Sequence, residues 1–288
     1  MGTALNVIVW DVEHGSAAYV APPGGQHIVI DLGTGSYGLS NQEFSPLKYL
    51  KDVIGVERLD AAIITHPHRD HLDDIFNLEL LRPKVLLTPR HLKDSDIYAG
   101  NSEDGHHIIE KYIEVRDAYG GGPPAPEANP FLAANNEGVG IECFVPKSCG
   151  VSNLNNHSVV TVLSYGCAKM MIPGDNQPAS WDELLGIPQF RQAITGTDVL
   201  VAPHHGRESG FSSALFEHIN PYLTIISDDA SGETSATNSY HQKSKGWKVK
   251  KHNGAIEERK CLTTRDDGMV HISFEIGSDG RTIMGVRI

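Results

Sequence analysis

No apolar run in this chain approaches the ~20 residues that a helix needs to cross a bilayer, so a membrane-spanning helical protein is excluded. The opening, MGTALNVIVWDVEHG, has neither a basic region ahead of an apolar one nor a small-residue cleavage site, and no secretion signal is read there. It is no myristoylation signal either, since Asn6 stands where that motif requires Ser or Thr. Cysteine is scarce. Cys143, Cys149, Cys167 and Cys261 are scattered without a CxxC pair, which predicts reduced, mostly buried thiols and makes the cytoplasm the expected compartment. Positive charge is also short: 24 Lys and Arg against 36 Asp and Glu leave a net charge of −12. That balance excludes a protein that coats nucleic acid through a broad basic face, but not an enzyme that grips a few phosphates locally. No internal repeat at a fixed short period is present.

What the chain does have is 288 residues, 40% of them hydrophobic and 21% charged, enough for a sizeable core in one large domain or two ordinary ones. It also has 15 histidines, a high count that points toward metal. β-Branched runs closed by Gly or Asp predict strands at 5–12 and 26–33, and further strands are expected at 59–65, 84–88, 139–146, 158–165, 168–175, 198–205, 223–229, 261–264 and 269–276. Ser45 as a cap and Pro46 at the first position predict a helix over 45–54. Other helices are expected at 70–81, where Leu72, Ile75, Phe76 and Leu80 recur near helical spacing, at 103–119, near 178–194 and at 211–219. The segment GGGPPAPEANPFLAANNEG (120–138) breaks every pattern and reads as a loop insertion, the best candidate for an active-site rim. Strands and helices alternate throughout, which means an α/β protein.

The chemistry concentrates in THPHRDHLDDI (65–75), directly after the apolar run AAIIT. His66 and His68 are two apart and project to one side of an extended chain, with Asp70 and His71 following at once. Imidazole and carboxylate are the donors that Zn, Mn and Fe take in hydrolytic sites, and four of them in six residues are unlike an incidental polar turn. Two further apolar strands end on ligand-type residues: IPGD on Asp175 and APHHG on the pair His204/His205.

These elements together resemble the metallo-β-lactamase superfamily, whose signature is HxHxDH followed by a distant Asp and a distant His. The similarity runs in order through IDLG, THPHRDH, NNHSVV, IPGD, APHHG, SYH and CLTTRDDG. The HHG element, the Asn-x-Ser stretch and the opening DVEHGSA are similar to one branch, the hydrolase domain of the ComEC-type DNA-uptake proteins and its free-standing relatives. The resemblance implies one domain over 1–288, an αββα sandwich of two mixed sheets flanked by helices, and two divalent metal ions, Zn or Mn, at one edge. It assigns His66 and His68 to the first metal, Asp70 and His71 to the second, and Asp175 to a bridge. One of His204 and His205 closes the second metal's shell, with His205 the expected ligand. Asp31 matches an aspartate that orders the site without ligating. His157 stands at the place of the first metal's third ligand, a position often held by Asn in this branch, and Ser16 replaces the branch's usual Asp in the opening motif.

The implied mechanism is attack by a hydroxide held between the two cations, with Asp70 both ligating and orienting it. His204, where it does not ligate, is expected close enough to stabilise charge or donate a proton. His241, in NSYHQ, matches a late Tyr-x-His-like element and is a candidate catalytic residue, a surface role being the alternative. His14, His106, His107, His218, His252 and His271 carry no spacing signal and read as structural or exposed. The expected activity is that of a phosphodiesterase or nuclease. Its independent support is HQKSKGWKVKKHNG, where Lys243, Lys245, Lys248, Lys250 and Lys251 interrupt an acidic chain around Trp247, a possible base-stacking platform for a nucleic-acid or nucleotide substrate. A solvated lysine face balancing the acids is the alternative for that run. Hydrolysis of a small ester, lactone or lactam in a mainly apolar pocket is the rival activity, and a binding or regulatory subunit with structural metals is the rival of another class.

Overall fold

The computed structural model describes residues 4–35, 44–120, 124–228 and 235–288. Residues 121–123 of the glycine-rich segment and Asp229, expected at a strand end, lie outside them. The first third of the chain forms β1 (Ala4–Val9), β2 (Ala18–Ala21), β3 (Ile28–Ile30), β4 (Ala61–Ile63) and β5 (Val85–Leu87). The middle forms β6 (Gly140–Phe144), β7 (Val160–Tyr165), β8 (Ala168–Ile172), β9 (Val199–Val201) and β10 (Leu223–Ile226). The last part adds β11 (Trp247–Lys250), β12 (Ile256–Arg259), β13 (Cys261–Thr263), β14 (Val270–Ile276) and β15 (Thr282–Arg287).

Among the described residues these strands build two sheets, in the orders β12-β11-β15-β14-β1-β2-β3-β4-β5 and β13-β10-β9-β8-β7-β6. Both are mixed. The first is antiparallel around β1 and parallel from β3 to β5; the second is parallel from β13 to β8 and antiparallel at β7 and β6. The sheets face each other across one apolar layer that includes Val7, Ile30 and Ile63 from the first and Leu163, Met170, Val201 and Ile225 from the second. Each fully buried side chain of this size contributes about 1.5–3 kcal/mol, so this layer is the rigid frame of the molecule.

Helices cover the outer faces. Helix His106–Ala118 places Ile108, Ile109, Tyr112 and Val115 against the first sheet, together with Leu47 of helix Pro46–Tyr49, whose N-terminus is capped as expected by Ser45 accepting from Lys48 N–H. Helices Pro178–Leu185 and Pro188–Ile194 place Trp181, Leu184 and Phe190 against the second. The architecture is the expected αββα sandwich. The described cysteines are free thiols, and no described helix is long and apolar enough to cross a membrane.

Two expected helices are different in the structure. Over 70–81 the chain forms short 3-10 turns, Arg69–His71 and Ile75–Leu81, because the buried residues are Leu72, Ile75, Leu78 and Leu81. Their spacing is three, the period of a 3-10 turn, and it leaves Phe76 and Leu80 exposed. Only a 3-10 turn, Leu215–Glu217, forms within 211–219.

The parallel strands β3, β4, β8, β9 and β10 all end at the same edge of the sandwich. There they deliver Asp31, Thr65 to His71, Asp175, His204 with His205, and Ser227. The turn before β7, antiparallel to β8, returns to that edge with Asn155. Topology alone therefore collects ligand-type residues from six separate segments, an arrangement typical of α/β sites at strand termini.

Candidate metal centre

Unusual backbone builds the edge. Asp31, His204 and His205 all have positive φ, at 60°, 50° and 52°. Non-glycine residues rarely adopt this region, and such positions concentrate where side chains must be aimed at a site. Gly174, immediately before Asp175, has φ 60° and lies so close to neighbouring chain that an added Cβ would stand 2.8 Å from both Thr65 Cβ and Ser158 Cβ. That close packing sets the approach of the β8 end to the HPHRDH segment.

Asp31 is the organising residue. Its carboxylate, 1% exposed, accepts from Thr65 N–H at 2.7 Å and from the Thr65 hydroxyl at 2.9 Å, and lies 2.8 Å from His71 Nδ1. His71 Nδ1–H therefore donates to Asp31, which leaves Nε2 turned inward. Nε2 lies 3.3 Å from Asp175 Oδ1, 3.4 Å from His205 Nε2 and 3.9 Å from Asp70 Oδ2. His205 is oriented in the same way, with Nδ1 3.1 Å from the Ser227 carbonyl and Nε2 3.2 Å from Asp70 Oδ2 and 3.3 Å from Asp175 Oδ2. Asp70, His71, Asp175 and His205 thus offer donor atoms that all lie within 4.8 Å of one another. Beside them His66 Nε2 lies 2.9 Å from His68 Nδ1 and 3.9 Å from Asp175 Oδ2.

Electrostatics follow from this crowding. Burial pushes the Asp175 and Asp70 carboxyls up, but the adjacent His71 and His205 outweigh it, and both lie below the usual carboxylate range. Burial pushes His71 and His205 down, but the carboxylates around them outweigh it. His71 is raised well above the ordinary imidazole value, and His205 is raised to about 10. His66 is lowered well below the ordinary value by burial and the charge of His71, and His68 is lowered by burial. The donor set of neutral imidazoles and anionic carboxylates suits borderline divalent ions such as Zn or Mn. The carboxylates draw positive charge to His71 and His205, the charge that a divalent cation would supply there.

A prediction follows. The surrounding carboxylates raise His71 and His205 and so favour their protonated forms, and a proton on Nε2 must leave before that nitrogen can ligate. Metal binding should therefore release protons, and the calorimetric enthalpy of Zn binding should change with the ionisation enthalpy of the buffer. An enthalpy independent of buffer would contradict the charge state described here.

The remaining expected residues divide sharply. His204 joins the edge, with Nε2 4.0 Å from Asp175 Oδ2, but its Nδ1 is engaged by the Ser209 hydroxyl at 2.7 Å and Gln177 Nε2 at 3.2 Å. His157 does not join it. Its Nδ1 lies 2.9 Å from His91 Nε2 and its Nε2 3.4 Å from the Gly150 carbonyl. The reason is the 3-10 turn Leu154–His157, where positions two apart point in different directions. Asn155 takes the inward place instead. Its Nδ2 lies 3.5 Å from His204 Nε2, and its buried Oδ1 has no partner among the described residues. The NNH triplet held a signal for Asn at this place, since the branch often has Asn here, while imidazole's stronger ligand character pointed to His157.

His241 is exposed on helix Thr237–Lys243, with no contact to the edge among those described. The lysine run lies elsewhere again. Lys245 N–H donates to the Pro221 carbonyl and its ammonium sits 4.0 Å over the Tyr222 ring, while Trp247 packs against Tyr222 at 5.2 Å. Tyr222 precedes β10 and Ser227 follows it, so this cluster is about 16 Å from the metal-type residues along a strand rising ~3.3 Å per residue. Lys243 lies over Phe216 in the same region. Lys248 and Lys250 flank buried Val249 on β11, Lys248 opposite Glu258, and Lys251 pairs with Glu257 at 3.3 Å. The run is an amphipathic strand, paired between β12 and β15 and balanced by acids. The segment 124–138 also stays away from the edge: Pro124, Asn129 and Phe131 instead cover a separate cavity between β5 and β6.

Two residues at the edge escaped the sequence reading. His14 Nε2 lies 3.8 Å from Asp70 Oδ2, and its ring is 5.1 Å from that of His205. Arg207 follows the HHG element, with Nη2 3.2 Å from His14 Nδ1. The resemblance of DVEHGSA to a family motif was the available signal for His14; none marked Arg207. His14, His68, Arg69, Asp70, Asp73, Asn155, Asp175, His204 and His205 together line an open cleft of about 410 Å³.

The family model "Metallo-beta-lactamase superfamily" matches residues 10–215, a stretch that holds all of these cleft residues. The chain belongs to the metallo-β-lactamase superfamily. ComE operon protein 3 of Bacillus subtilis is 22% identical over 199 residues, which are 66% of this chain and 22% of that protein. The chain thus spans about a fifth of that relative's length. Zn-bound PqqB from Methylobacterium extorquens has a similar fold at 10% identity, with a TM-score of 0.48 and coverage of 92% of this chain and 99% of that one. YhfI from Bacillus subtilis is similar at 12% identity, with a TM-score of 0.41 and coverage of 79% and 88%.

Proposed function

We propose that this superfamily member is a hydrolase of phosphodiesters that works with two divalent cations, Zn or Mn. His66, His68 and Asn155 would hold one, Asp70, His71 and His205 the other, with Asp175 between them. The observation that carries the reading is the position of Asp175, whose Oδ1 faces His71 while Oδ2 faces both His205 and His66. Cations bound there would acidify water and neutralise developing negative charge. The chain's own residues supply orientation. Asp31 and the Ser227 carbonyl fix the rings of His71 and His205. Gln177 Oε1 accepts from Asn153 Nδ2, so its amide N–H is turned to His204 Nδ1, where the Ser209 hydroxyl also donates. Nδ1 is then an acceptor, and Nε2–H of His204 faces the cleft, placed to donate to a substrate oxygen.

The substrate class rests on the cleft's lining. Among the described residues no aliphatic or carbocyclic aromatic side chain lines it, whereas a small ester, lactone or lactam would be expected to meet a mainly apolar pocket. The sequence resemblance to DNA-uptake hydrolase domains supports the same choice. The Mn-reconstituted chain should hydrolyse bis-p-nitrophenyl phosphate and, without added Mn after chelation, should not. Single-stranded DNA, RNA and cyclic nucleotides then narrow the natural substrate. Efficient turnover of p-nitrophenyl acetate or a lactone, with none of the phosphodiester, would transfer the assignment to the ester class.

A further inference from the structure

The geometry points to Arg207 as the residue that binds a phosphate oxygen of the substrate and so selects an anionic phosphodiester over an uncharged ester. This rests on the hydrolase reading above and names a specificity determinant for it. In a chain with 36 acidic and 24 basic residues, arginines near acids are paired: Arg69 with Asp73 and Asp104, Arg116 with Asp94 and Asp117, Arg259 with Asp267, Arg265 with Asp228. Among the described residues Arg207 has no carboxylate partner, and its buried Nε has no hydrogen-bond acceptor. A buried guanidinium N–H without an acceptor is costly, and phosphate oxygens match the planar fork of this side chain.

Its one side-chain contact is also uncommitted. Nη2 lies 3.2 Å from His14 Nδ1 and 3.3 Å from His14 Nε2, near-equal distances that aim it between the two nitrogens rather than at either lone pair. His14 in turn faces Asp70 and His205. The cation therefore stands beside a side chain that lines the cleft. The backbone fixes it there: Arg207 N–H donates to the His204 carbonyl at 2.9 Å, and the residue bridges Ser235. Arg69 also lines the cleft, but Asp73 and Asp104 occupy its guanidinium.

The test uses the full chain loaded with Mn, with Arg207→Gln and Arg207→Lys compared at equal metal content. Inorganic phosphate is the binding probe, measured by calorimetry. Arg207→Gln should weaken phosphate binding roughly tenfold, with Arg207→Lys recovering part of the loss. For bis-p-nitrophenyl phosphate, KM should rise by a similar factor and kcat should change less. Phosphate binding reports on Arg207 even where wild type turns over no phosphodiester, so failure of the activity reading is seen separately. Wild-type phosphate affinity in Arg207→Gln would overturn the proposal. So would a loss of affinity that tracks loss of Mn, since the arginine would then be supporting the metal centre and not the substrate.

Discussion

Replacing Asp175 by Asn should lower phosphodiester turnover by roughly a thousandfold or more, with bound metal falling in parallel. The carboxylate is buried at the end of β8, and its two oxygens face His66, His71 and His205 at 3.3 to 3.9 Å. An amide keeps the shape but loses the charge, and it turns one acceptor into a donor aimed at ligand nitrogens. The backbone bond from Asp175 N–H to Ser158 Oγ, at 3.0 Å, is unaffected, so the strand end should keep its position. Near-native far-UV circular dichroism with little activity is the expected result. Wild-type turnover in this variant, at matched metal content, would remove Asp175 from the centre of the site.

The largest effect on stability should come from Asp31→Ala. That substitution strands three buried donors at once: Thr65 N–H, the Thr65 hydroxyl and His71 Nδ1–H. It also leaves alanine at φ 60°, a conformation that aspartate tolerates better. Breaking a buried charged pair costs about 3–5 kcal/mol, and Tm moves by about 2–4 °C per kcal/mol in domains of roughly 150–250 residues. Metal affinity should fall by about 10–100-fold, the usual consequence of removing the partner that orients a ligating histidine. Thermal unfolding of the metal-free variant separates the two effects. An unchanged Tm together with unchanged metal affinity would show that Asp31 is not the support described.

The sandwich and its edge were legible because the signals were local. Apolar β-branched strands such as AAIIT and SVVTVLSY mark themselves, and HPHRDH, IPGD and APHHG each end a strand with donors. What was not legible depended on partners far along the chain. β2 is only four residues, AYVA, and is a strand because β1 and β3 flank it. β11 hid inside the lysine run, since the alternation of Trp247 and Val249 with lysines resembles a basic patch until Glu257 and Glu258 appear opposite. Around 70–81 the sequence offers apolar residues at spacings of both three and four, and contact with the first sheet selects three. The placement of Asn155 rather than His157 at the cleft has the same origin. Donor chemistry favours the histidine, but the 3-10 turn decides which side chain faces inward, and its geometry was not written in the triplet.

The central claim, that this edge is a two-cation hydrolytic site, is tested most directly by titrating the metal-free chain with Mn while measuring both bound metal and hydrolysis of bis-p-nitrophenyl phosphate. The account predicts that turnover rises with occupancy and levels off near about two bound ions per chain. Saturation of the site with Mn and then with Zn, without any phosphodiester turnover, would contradict it.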